Sequence, residues 1–159
     1  MYPELPVALP TGECHAAPEN LTSTVNQAAF EYWQRIRGSR PMPSRSDFNP
    51  ADVVSLLPHL LLVDVQWDPL DFRYRLIGTF IVEMSADNTG RWISQIPHQA
   101  QPSRTWSACE LVATTGRPIC ADIPYVGKLK DIRRLEDVMM PFSDDGARVN
   151  MLFISADFL

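Results

Sequence analysis

Chemistry in this sequence would have to start from its histidines, cysteines and carboxylates, and their spacing favours little of it. The three histidines, His15, His59 and His98, and the three cysteines, Cys14, Cys109 and Cys120, form no metal-ligand spacing with one another, so a metal site would have to be assembled across the fold. An odd number of widely separated cysteines fits reduced thiols better than a disulfide framework. Serine nucleophiles need a base within hydrogen-bond reach, and no G-x-S-x-G elbow is present. There is no phosphate-cradling glycine loop, and all seven glycines fall at turns or element ends. Glu83 and Glu110 lie on helical segments near apolar residues without forming an acid–base pair. His59 reads as a satisfied edge or core residue, although its intrinsic pKa lets it titrate near neutrality. The expectation is therefore no enzyme and no metal, with the identity of any cofactor unspecified.

Composition narrows the class further. With 159 residues, 45% of them apolar, the chain can bury one core but not comfortably two. A formal charge of −5 and a pI near 5.1 argue against nucleic acid as partner, because that affinity rests on clustered cations. The N-terminal PELPVALP is no signal peptide, and no apolar run reaches membrane-spanning length, so a cytoplasmic protein without membrane insertion is expected. The Asn20-Leu21-Thr22 glycosylation pattern is then a coincidence. Residues 1–21, rich in proline and small side chains, read as an extended or disordered arm, and residues 22–159 as a single domain.

Periodicity then supplies the elements that must position any site. Val25, Ala29, Tyr32, Trp33 and Ile36 recur at helical spacing and predict a helix over 24–37, closed by Gly38. Residues 39–50 read as a loop in which Arg40 and Arg45 join Arg35 and Arg37 of the helix as a basic rim, or as a contact for an anion or partner. A short helical turn over 51–57 leads into a strand over 59–67. Its Leu60 and Leu62 face one way, toward Phe30 and Trp33, while Leu61, Val63 and Val65 face the other. The second strand, 72–77, alternates Phe72, Tyr74 and Leu76 against Arg73, Arg75 and Ile77. A short helix over 79–85 and a long one over 98–115 follow, the latter carrying Trp106, Cys109, Val112 and Ala113 on one side. Strands over 119–125, 132–140 and 149–154 complete the order, with a turn at Lys128-Leu129-Lys130 and a hairpin at Asp145-Gly146. Strands in two blocks with helices between them make an α+β fold, its blocks joined through the first and last strands.

This order and several local motifs together resemble the PAS domain, in particular the small bacterial PAS-domain-only family. The matching residues are Tyr32-Trp33, Arg37-Gly38, Pro43-Ser44-Arg45 with Pro50, Leu56-Leu57-Pro58-His59, Phe72 through Thr79, Asn88-Thr89-Gly90, and Leu135-Glu136 to Pro141 with Asp144-Asp145-Gly146. The resemblance implies a five-stranded antiparallel sheet cupping a small cavity under a helical insert on one face, with the N-terminal amphipathic helix on the other. It also implies a sensory or regulatory role, as a module that binds a small ligand, a signalling protein partner, or both. The flavin-type cysteine motif is absent, and His98 stands near the start of the long helix instead of well inside it, which argues against a flavin adduct and against haem ligation.

On that fold Tyr74, Met84, Trp92, Trp106, Cys109 and Met139 come near the inner face as a candidate pocket for a small apolar or amphipathic ligand. A fully packed core is the alternative. Phe30, Trp33, Leu60 and Leu62 are the candidate interface, and apolar side chains on both sheet faces predict a homodimer. A dimerising interaction module without ligand, and a small α+β enzyme of the cone-shaped or hot-dog kind, are the competing readings. The enzyme reading is weakened by the strand order and the lack of a convergent acid–base pair.

Overall fold

The structure is a computed structural model that describes residues 21–124 and 129–159. The expected N-terminal arm, Cys14, His15, the end of the third strand at Tyr125 and the Lys128 turn position lie outside the described residues, apart from Leu21, which is buried with the domain.

The N-terminal helix α1 spans Thr24–Arg37. Ser23 caps it by accepting a hydrogen bond from the Asn26 amide, and Gly38, at φ 61°, supplies the left-handed turn that ends it. Two 3₁₀ segments, Arg45–Asp47 and Pro50–His59, then lead into the sheet. Strand β1 covers Leu60–Gln66 and β2 covers Asp71–Ile77. Helix α2, Thr79–Met84, and helix α3, Arg104–Thr115, form the insert. Strands β3 (Ile119–Pro124), β4 (Arg134–Phe142) and β5 (Met151–Phe158) close the chain.

The five strands form one sheet in the order β2-β1-β5-β4-β3, with every pairing antiparallel. The first and last strands do join the two blocks, as the pattern of elements predicts. Because β1 and β5 are central and covered twice, both of their faces must be apolar, and two separate cores result. Beneath α1 lie Phe30, Trp33, Leu60, Leu62, Val138, Met140, Phe142 and Phe153. Beneath α2, α3 and their connections lie Leu61, Val63, Phe72, Tyr74, Trp106, Cys109, Met139 and Ile154.

Three sequence expectations change. The β1–β2 register slips between Leu62 and Val63, so that Leu62 pairs with Leu76 but Val63 with Tyr74 and Arg75 is left over as a bulge. The extra residue reverses the alternation beyond it: Ile77 joins the inner core, whereas Leu76 is 43% exposed. The long helix starts at Arg104, capped by the Ser103 hydroxyl accepting from the Trp106 amide at 3.0 Å, so His98 precedes the helix instead of opening it. Cys109 is a free, buried thiol, but Cys120 is disulfide-bonded, against the expectation of three reduced thiols.

Gly78 has a specific steric reason. Its amide donates to the Leu60 carbonyl at 2.8 Å, and a Cβ there would collide with the carbonyl oxygens of Leu57 and Pro58.

Candidate functional site

Under α1 a network of buried polar side chains ties the helix to the sheet, while Arg37 Nε at the helix end is buried without a hydrogen-bond partner. The Glu136 carboxylate on β4 accepts from the amides of Thr22 and Ser23 at 2.8 and 2.9 Å and from Asn26 Nδ2 at 3.1 Å. Asn26 Oδ1 accepts from the Ser155 hydroxyl at 2.8 Å, and Trp33 Nε1 donates to the Pro141 carbonyl at 3.0 Å. The arginines of the expected basic rim are largely engaged in closing this core. Arg35, Arg37 and Arg45 lie over the rings of Tyr32, Trp33 and Phe48 at 5.3, 5.4 and 5.1 Å, and Arg40 pairs with Asp47 at 2.8 Å.

Phe30, Trp33, Leu60 and Leu62 are at most 3% exposed, because they pack on one another beneath α1. They form an internal seam, so a second molecule would meet the opposite side of the helix. There, a groove of about 230 Å³ runs between α1 and the Pro50–His59 segment, lined in part by Glu31, Arg35, Asp52 and Leu56.

The inner face holds four of the six candidate pocket residues together. Tyr74, Trp106, Cys109 and Met139 are buried in one cluster. The Tyr74 hydroxyl donates to Gln99 Oε1 at 2.6 Å, and the Trp106 indole donates to Glu110 Oε2 at 2.8 Å while meeting Phe72 edge-on. Burial pushes the Tyr74 hydroxyl and the Cys109 thiol well above their ordinary pKa values. Met84 and Trp92 are half-buried outside this cluster; Trp92 instead sits under the Arg73 guanidinium at 5.8 Å.

Two ionisable groups not anticipated from the sequence complete this face. Asp137 shares the β4 alternation of Leu135 and Met139, which places it on the inner side opposite its neighbour Glu136. Burial raises its carboxyl to about 6, against the opposing pull of Arg104. Arg104, the first residue of α3, has its Nη2 buried and without a hydrogen-bond partner, and burial lowers its pKa while Asp137 counteracts this. The signal in the sequence was the Glu136-Asp137 pair itself: on a strand covered on both faces, adjacent acids must point into both cores.

Among the described residues no three His, Cys, Asp or Glu side chains converge as a metal site, and no helix is long and apolar enough to cross a membrane. The geometry described above is accompanied by a match of the family model described as PAS domain to residues 21–153. No curated protein matches the chain.

Proposed function

Because the chain belongs to the PAS domain family, we propose that it is a sensory or regulatory module of bacterial cytoplasmic signalling, not a catalyst, which binds a small ligand between α3 and the inner face of its sheet. One observation supports this reading above all. Buried polar groups are normally hydrogen-bonded, yet at the start of α3 the Arg104 Nη2 is buried without a partner. An unmatched donor on the helix that covers the polar-tipped Tyr74 and Trp106 suits an occupant that supplies the missing acceptor. Native mass spectrometry of the purified chain, with an absorbance spectrum of the same sample, is the test. A defined small-molecule adduct is expected; a bare mass together with a melting curve that no small molecule shifts would overturn the reading in favour of a module working by protein contact alone.

A protein contact accompanies this reading, supported by the groove beside α1 and by Val54, which is 65% exposed next to it. Its occupant is a second copy of the chain. Light scattering at micromolar concentration should give the mass of two chains, and a monomer would remove the homodimer.

A further inference from the structure

Cys120 is disulfide-bonded, and its surroundings say to what. The sequence holds three cysteines. Cys109 is a free thiol, buried on α3 in the inner core. Cys120 lies on the other side of the sheet: on the edge strand β3 it pairs with Val138 and packs, partly buried, against the core under α1. Within the chain this leaves Cys14 as its partner, a residue outside the described ones. The fold puts that pairing within reach. The Glu136 carboxylate accepts from the amides of Thr22 and Ser23 at 2.8 and 2.9 Å, and Glu136 pairs with Asp122, on the same strand as Cys120 and the same face of it. The chain therefore enters the domain on the order of 10 Å from Cys120, one strand spacing and a short step along β3 away. The segment from Cys14 to Thr22 spans up to roughly 27 Å when extended, so the bond needs no rearrangement of the sheet.

We infer that Cys14 and Cys120 form a thiol–disulfide latch, which fastens the segment before α1 to the edge strand β3 when oxidised and releases it when reduced. A permanent staple is the competing role, and three features favour a latch. In the cytoplasm, where the proposed function places this chain, a disulfide is ordinarily transient because glutathione keeps thiols reduced. Cys120 is only partly buried on an edge strand, which leaves its sulfur open to a small thiol. Helix α1 is already fastened to β4 and β5 through Glu136, Asn26 and Trp33, so opening the latch leaves the domain folded. Opening takes two exchange steps. A glutathione thiolate attacks one sulfur of the pair, forming a mixed disulfide and expelling the other cysteine as a thiolate, which takes up a proton. A second glutathione thiolate attacks the glutathione sulfur, frees the remaining cysteine and departs as glutathione disulfide, so two electrons pass from two glutathiones to the protein. Closing reverses both steps. Cys109 takes no part, since the sheet stands between it and Cys120.

The test is thiol counting on the whole chain, equilibrated with glutathione disulfide, denatured without reductant and labelled with Ellman's reagent. One thiol is expected, that of Cys109, and three after dithiothreitol. Cys14→Ser and Cys120→Ser should each show two and Cys109→Ser none; any other pattern means another pairing and overturns the latch. Millimolar reduced glutathione added to the native chain should raise the count from one to three. It should also lower the melting temperature by several degrees, because a closed loop is lost from the unfolded state, while neither Cys14→Ser nor Cys120→Ser should respond. Three thiols in the oxidised parent would show that no disulfide forms. A native bond that millimolar glutathione leaves intact would make it a permanent staple, and either result overturns the inference.

Discussion

Asp137 is ionised in the folded chain only at a cost. Its carboxyl rises from 3.8 to about 6 on burial, so the folded state holds this proton more tightly than the unfolded state. The associated stability is fully present below pH ~4 and is lost as pH rises through ~6, leaving a penalty of about 3 kcal/mol at neutral pH. Asp137→Asn should therefore raise the melting temperature at pH 7 and flatten its fall between pH 4 and 6; a variant that melts lower than the parent at pH 7 would contradict the assignment. Gly78 is constrained by sterics instead. Gly78→Ala drives a methyl group into two backbone carbonyls that cannot retreat, and denaturant titration should register a loss of about 3 kcal/mol or more. At this scale the sequence was readable wherever hydrophobicity alone decided placement, as for Trp33, Leu60 or Tyr74. Asp137 and Arg104 escaped because an acid on an alternating strand and an arginine at a helix start ordinarily face water; only the second cover over β4 puts them inside.

Helix α1 is held by one carboxylate as much as by its aromatic face. Glu136 binds two backbone amides at the helix entry and the Asn26 side chain, so Glu136→Ala leaves the Thr22 and Ser23 amides without an acceptor and Asn26 Nδ2 with only the Glu136 carbonyl. A loss of roughly 3 kcal/mol in chemical denaturation is expected. Trp33→Ala empties a site that is 3% exposed and breaks the indole bond to Pro141, and should cost about 3–5 kcal/mol. An unchanged melting temperature for Trp33→Ala would show α1 to be peripheral. The helix limits were legible because Ser23 and Gly38 carry their own chemistry, a cap hydroxyl and a left-handed turn. The bulge at Arg75 was not, because it arises from how two strands pair and no single strand encodes it; the cost was a misassigned Leu76. The early start given to α3 has a different cause. Residues 98–103, His-Gln-Ala-Gln-Pro-Ser, carry no apolar periodicity, and the Ser103 cap decides where helical hydrogen bonding begins.

Across the whole molecule, the block order of the elements was enough to place β1 beside β5, since only that junction gives both blocks a shared sheet and leaves one face for each set of helices. Surface associations were less legible: the aromatic side chains that suggest an interface by type are consumed in the internal seam, and the groove near Val54 depends on how α1 and the 3₁₀ segment meet. Val54→Asp should lower the light-scattering mass toward one chain without altering the melt, since Val54 packs in neither core. The central position of β5 also has a consequence in time. Strand β1 is made early, yet one of its two neighbours, β5, follows only after β2, β3 and β4. At ribosomal speed that interval is on the order of ten seconds, during which the seam that Leu60 and Leu62 form with α1 lacks Met151 and Phe153 of β5. Until Met151–Phe158 emerges, β1 and β4 each keep one edge unpaired, so removing β5 leaves two half-sheets with open edges in place of a smaller domain.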